Sequence, residues 1–222
     1  MIPTQFQKEI EKQVKKKVEL RINDNRSTML SVKWEPGCTK VSLHRIFLDA
    51  PENVMEALAC HIRKKNSVAA PAVKAFIEER MRMIDYSHRL KKTTLSTSGN
   101  TYDLQQLYDE INREYFGGKL SLAITWYGRP KLKNRSRITF GLYSAPLRLI
   151  KIHRMMDRPF FPEYFVRFVI YHEMLHHLCP SYYDEKGRHS IHTKEFKSRE
   201  KEFREYARAT AWLNRHYDNF FM

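Results

Sequence analysis

The apolar positions of the chain fall into two successions of the same kind. Phe6, Ile10 and Val14 recur at a spacing of one helical turn and predict an amphipathic helix. Three short strands are predicted next, over Val18–Asn23, Thr28–Trp34 and Lys40–Arg45, separated by Asp24-Asn25 and Glu35-Pro36-Gly37 turns. Asp49 with Glu52 three residues on has the form of a capping box and opens a predicted helix through Val54, Leu58, His61 and Ile62. A second helix is predicted from Pro71 through Val73, Phe76, Ile77, Met81 and Ile84.

The stretch Thr93-Thr94-Leu95-Ser96-Thr97-Ser98-Gly99-Asn100 is small, polar and poor in core-forming side chains, which predicts a linker. It divides a first domain, 1–92, from a second, 101–222. Beyond it the order returns. A helix with Leu104, Leu107, Tyr108, Ile111 and Tyr115 stops at Gly117-Gly118. Leu120–Tyr127 reads as a strand, Ile138, Phe140 and Leu142 alternate with polar or small neighbours in a second, and Leu149–Arg154 forms a third. Pro162 and Glu163 begin a helix through Phe165, Val169, His172 and His176, and a last helix runs from Thr193 to Asn214.

Both halves thus read helix, three strands, two helices, at a period of roughly 110 residues. Leu43-His44-Arg45-Ile46 echoes Ile152-His153-Arg154-Met155, and His61 falls where His172 does. The expectation is an α+β protein whose first half is a degenerate pseudo-repeat of the second. In that repeat His61-Ile62-Arg63-Lys64-Lys65 stands at His172-Glu173-Met174-Leu175-His176, and Ala72 stands at His192.

Composition narrows the class. The chain has 222 residues, 42% of them apolar, and a formal charge of +15. No apolar run is long enough to span a bilayer, and the first residues do not have the pattern of a secretory signal. With three cysteines and no CxxC pair, neither a disulfide framework nor a structural zinc ribbon is expected, which suits a reducing, cytoplasmic setting. The positive charge favours polyanions and makes nucleic acid a candidate partner, although it is spread over both halves and many cations sit beside glutamates on helices. Lys131, Lys133, Arg135 and Arg137, around an Asn134-Arg135-Ser136 turn, read equally as a phosphate grip or as a charged hairpin tip.

The chemistry is concentrated at His172-Glu173-Met174-Leu175-His176. Histidines four apart lie on one helix face, so both imidazoles can reach one metal ion. A glutamate after the first is placed to take a proton from water, as in HExxH metallopeptidases. A random chain of this composition holds roughly 0.03 such matches, so chance is a minor competitor. Catalytic zinc takes three protein ligands as a rule. His192, just before the last helix, is the leading third donor; His189 and glutamates 195, 200, 202 and 205 are its rivals. His177 must point away from its neighbour's ligand face, and Cys179 reads as a small buried side chain. Tyr182, Tyr183 and Tyr206 are candidate hydrogen-bond donors to a developing oxyanion.

Tyr102 to about Trp212 resembles the SprT-like metallopeptidase domain, the family that includes the DNA-dependent protease Spartan. The resemblance is carried by Asn112-Arg113-Glu114-Tyr115-Phe116-Gly117-Gly118-Lys119-Leu120, by Ile124-Thr125-Trp126, by the HExxH, and by His192-Thr193-Lys194-Glu195-Phe196 in the place of the family's His-Gly-x-x-Phe element. It implies a zincin-like fold of helix, three-stranded sheet, active-site helix and C-terminal helix. It also implies a zinc ion on His172, His176 and His192, Glu173 as catalytic base, and an extended protein or peptide substrate added to the edge strand, for which Leu149–Arg154 stands here. Thr193 replaces the family's glycine, and the sequence has no Cys-rich zinc ribbon of the kind many members use near DNA. The expected activity is zinc-dependent endopeptidase, with DNA-associated proteins as a substrate class. A basic nucleic-acid-binding module with a structural or vestigial zinc site is the alternative. A zinc amidohydrolase is disfavoured, because nothing suggests a closed small-molecule pocket.

Overall fold

The computed structural model describes residues 3–25, 28–63, 69–92, 95–129, 139–183 and 188–217. The chain divides into two compact units, Met1–Ile84 with Tyr182–Ser190, and Asp85–Ser181 with Ile191–Met222. The described part is a mixed α+β structure with small sheets.

In the first unit α1 (Pro3–Val14) is followed by β1 (Val18–Asn23), β2 (Leu30–Glu35) and β3 (Cys38–His44), then α2 (Glu52–Ile62) and α3 (Ala69–Met83). The predicted stripe of α1 is its buried face: Phe6, Ile10 and Val14 are each 2% exposed or less. The sheet order is β1-β3-β2, with β1 parallel and β2 antiparallel to the central strand. Asp49 is not the N-cap residue of α2. It ends a 3₁₀ turn, Arg45–Asp49, and the residue before the helix is Pro51, which makes no side-chain cap. That turn is capped by His44, whose Nδ1 accepts from the Ile46 N–H at 3.2 Å.

In the second unit α4 (Leu104–Phe116) leads to β4 (Ala123–Tyr127), β5 (Gly141–Ser144), β6 (Leu149–His153) and α5 (Glu163–Leu178). Its sheet order is β4-β6-β5, again with the first strand parallel and the second antiparallel to the third. The last residue of the central strand, His153, caps a 3₁₀ turn through Nδ1 and the Met155 N–H at 3.1 Å, as His44 does in the first unit. The strand predicted over Leu149–Arg154, seen as β6, is therefore the middle of its sheet rather than an edge, because it pairs on both sides; the outer strands are β4 and β5. Ile138 of the predicted strand lies outside the described residues, as do Thr93, Thr94, Lys64, Lys65 and the predicted basic turn at Lys131, Lys133, Arg135 and Arg137.

The described part of the predicted linker is bonded into the second unit. Ser96 takes the Trp126 N–H at 2.8 Å and gives its own N–H to Thr125 Oγ1 at 3.0 Å. The carboxylate of buried Asp157 accepts from the N–H groups of Asn100, Thr101 and Tyr102 at 2.7, 2.8 and 3.3 Å. A short polar stretch is anchored once its backbone groups find fixed partners.

The last predicted helix is two, α6 (Lys194–Glu200) and α7 (Tyr206–His216). The break turns Phe203 inward, 3% exposed, against Tyr115, Phe168 and Tyr171. Between α5 and α6 runs a two-stranded hairpin, β7 (Tyr182–Tyr183) and β8 (His189–Ser190), which belongs to the first unit and packs on α3. Among the described residues no helix is long and apolar enough to cross a membrane.

Candidate metal centre

Helix α5 starts after Pro162 and is buried round most of its circumference, from Phe165 through Leu175, as the central helix of a core must be. His172 and His176 lie one turn apart on it, their ring centroids separated by 4.9 Å. His192 reaches them from the segment joining β8 to α6, at centroid distances of 4.9 and 5.1 Å. One nitrogen from each of the three histidines lies within 4.8 Å of the others, a group able to hold a metal ion. Tetrahedral coordination at 2.0–2.1 Å puts donors about 3.4 Å apart, so the rings need to close by only about an ångström. An all-imidazole donor set fits zinc or a similar borderline-soft ion.

Local sequence explains how His192 arrives there. Thr193 is the N-cap of α6, its Oγ1 accepting from the Phe196 N–H at 3.0 Å. Its φ of −65° is ordinary backbone, so the position makes no demand for glycine. The cap fixes Phe196, which is fully buried and meets the rings of His172, His176 and His192 at 4.9, 4.8 and 4.7 Å. The phenyl group thus forms one wall of the cluster.

Glu200, near the end of α6, accepts from His172 Nδ1 at 2.6 Å. That bond fixes the ring and leaves Nε2 for an ion, the arrangement that commonly supports a metal-binding histidine. Burial drives the His176 pKa down to about 3, with the cationic forms of His172 and His192 adding to it, so the ring is neutral with a free lone pair. His192 is shifted the same way, again mainly by burial.

Glu173, next to His172 on α5, is 5% exposed. Burial raises its pKa to about 7, against the opposing pull of His172 and of a hydrogen bond from the Tyr143 N–H. The approach of β5 is so close that a Cβ on Gly141 would lie 2.5 Å from Glu173 Oε1. Tyr127 and Tyr143, both held protonated with pKa values near 12 by burial, flank this region. Tyr143 Oη is 2.7 Å from His177 Nδ1, which occupies the histidine next to the cluster.

The rivals are elsewhere or otherwise engaged. His189 sits on β8 in the first unit, 2.8 Å from Glu78. Glu195 pairs with Arg199 at 2.9 Å and Glu205 with Arg208 at 2.8 Å. Glu202 donates its backbone N–H to Arg199 in the turn after α6. Tyr182 and Tyr183 lie on the hairpin of the first unit, and Tyr206 packs edge-on against Phe168. Cys179, 2% exposed, closes the end of α5 as a small buried side chain. Sequence reasoning missed Gly141, Tyr127, Tyr143 and the role of Glu200. The only signal for them was that Gly141 interrupts an otherwise bulky strand pattern.

The sequence model of the SprT-like family matches residues 104–215, which contain all three histidines and Glu173. The chain belongs to the SprT-like family. SprT-like domains are of metallopeptidase type, and the three histidines of this member are a group that could hold a metal ion. No curated protein matches the chain, and no solved structure does.

Proposed function

We propose that this SprT-like protein is a zinc-dependent endopeptidase in which His172, His176 and His192 hold the ion and Glu173 is the general base. The observation that carries the reading is the convergence of three imidazoles, one of them oriented by Glu200, with a buried carboxylate next to the first of them on the same helix. A metal bound there supplies Lewis acidity, polarising a carbonyl and making water a nucleophile near neutral pH. Glu173 takes the proton from water and returns it to the leaving amine, the work of a positioned general acid–base. A structural metal site has no use for such a group. The edge strand β5, held against Glu173, offers backbone groups to which an extended peptide can add.

The zincin-like description of the second unit is part of the same proposal. So is the duplication, which is supported by the equal strand orders and by the two histidine-capped 3₁₀ turns. DNA-associated proteins in a cytoplasmic setting are the substrate class we infer, from the charge of +15 and the family. The same charge favours one second reading, a nucleic-acid-binding module with a structural metal site.

Elemental analysis of the purified protein beside His192→Ala tests the ligand set. One zinc per chain, largely lost in the variant, is expected; wild type that stays metal-free after zinc is supplied overturns the proposal. Glu173→Gln separates the two readings, since it should retain zinc and abolish peptide cleavage. Cleavage unaffected by that change removes Glu173 from the mechanism.

A further inference from the structure

The first unit contains a cleft of about 300 Å³ lined by Thr28, Met29, Leu30, His61, Val73, Lys74 and Ile77. Its walls are the start of β2, the end of α2 and the first half of α3. In the proposed duplication these are the counterparts of β5, α5 and α6, the elements that enclose the histidine cluster in the second unit. Ala72-Val73-Lys74-Ala75-Phe76 shares its lysine and phenylalanine with His192-Thr193-Lys194-Glu195-Phe196, and both phenylalanines are buried, 5% and 0% exposed. On the proposed duplication, the cleft includes His61, the counterpart of His172. His61 is still there, but Ala72 has no donor atom to offer.

We infer that this cleft binds an extended acidic peptide segment, with apolar side chains in the pocket and a carboxylate opposite Lys74. Three observations support that occupant. Met29, Leu30, Val73 and Ile77 give the pocket apolar walls, and its volume is at the lower end of the roughly 300–1,000 Å³ of sites that enclose small ligands. Lys74 is the one full cation among the described lining residues, which include no acidic side chain. Strand β2, which supplies Leu30, is an edge of its sheet, so a peptide can extend the sheet with its backbone while alternate side chains enter the cleft. Apolar walls favour a peptide over a phosphate backbone, which would bring no side chain to fill them. The first unit then acts as a recognition site for polypeptide that has given up chemistry.

Binding is read by fluorescence anisotropy on the full chain carrying Glu173→Gln, so that cleavage does not remove the probe and the result is independent of peptidase activity. The probes are a short fluorescein-labelled peptide of alternating leucine and aspartate, its lysine-for-aspartate counterpart, and single-stranded DNA with the same label. Saturable binding of the acidic peptide is expected. Lys74→Glu, an exposed position, should weaken it by about tenfold and reverse the preference toward the lysine peptide. Ile77→Glu should abolish it with thermal midpoint and metal content unchanged. The inference is overturned by absence of saturable peptide binding, by equal binding to wild type and both variants, or by Lys74-dependent binding of DNA that displaces the peptide.

Discussion

Gly141→Ala adds one methyl group at the point where the sheet meets the proposed base. A Cβ there would stand 2.5 Å from Glu173 Oε1, 2.7 Å from Cγ and 2.8 Å from Cδ. Comfortable separations between such atoms are about 3.5–4.0 Å, so something must move by about an ångström. The backbone of β5 is locked to β6 by the ladder, with Gly141 opposite Ile152. The far end of Glu173 is the softer partner, and the carboxylate should give way. Overpacking of this kind costs about 1–3 kcal/mol, which lowers the thermal midpoint by about 2–12 °C for a chain of this size. An ångström of misplacement at a reacting group costs on the order of 100-fold in rate. The three atoms nearest the added one all belong to Glu173 rather than to a histidine of the cluster, so zinc content should stay at the wild-type level. The assay is peptide cleavage at saturating substrate, measured beside zinc content and melting. Shortening the carboxylate in Gly141→Ala/Glu173→Asp restores room, so the two changes should be less than additive in melting temperature. Cleavage within twofold of wild type, with zinc retained, would show that the position of Glu173 does not govern the reaction. Joint loss of zinc and fold would show instead that the strain spreads through α5.

Two further outcomes follow from the same geometry. Glu200→Ala frees the His172 ring and should weaken zinc binding about 10–100-fold, read by competition with a chromophoric chelator; equal affinity would make the Glu200 bond incidental. In the metal-free protein, burial raises the Glu173 pKa from 4.5 to about 7. The folded state then keeps a proton that the unfolded chain releases, so this group's contribution is complete below pH 4.5 and is lost as pH rises through about 7. The loss is on the order of 3 kcal/mol. Half-buried His176 works in the opposite sense, its contribution being present above pH 6.5 and lost as pH falls toward 3. Urea unfolding in chelator should therefore find Glu173→Gln more stable than wild type at about pH 8 and nearly equal at about pH 4.5; parallel curves would contradict the burial account.

How much of this was legible in the sequence depended on the range of the interaction. His172, Glu173 and His176 stand on one helix, and a spacing of four residues places them without further knowledge. The stripe Phe6, Ile10 and Val14 was readable for the same reason. Glu200 and Gly141 act across 28 and 32 residues of chain on His172 and Glu173, and no local period carries that information. The strand orders were equally hidden, because parallel pairing of β1 with β3 joins segments that no turn connects directly. Asp49 shows the converse: a valid local motif, displaced because a 3₁₀ turn ends at it and Pro51 precedes the helix. The single predicted helix over 193–214 is broken where burying Phe203 outweighs helical continuity.

The hairpin Tyr182–Ser190 has a consequence for how the molecule can be made and divided. The chain leaves the first unit at Ile84, returns to it at Tyr182 and leaves again after Ser190. During synthesis, the first unit stays one hairpin short until about three quarters of the second has emerged, so neither unit is finished as a simple N-terminal or C-terminal block. No single cut yields two complete halves. A fragment ending at Ile84 lacks what covers α3, and one beginning at Asp85 carries a hairpin with nothing to rest on. The segment that delivers His192 leads directly out of that hairpin, so the placement of this histidine and the integrity of the first unit are tied together in the covalent path itself.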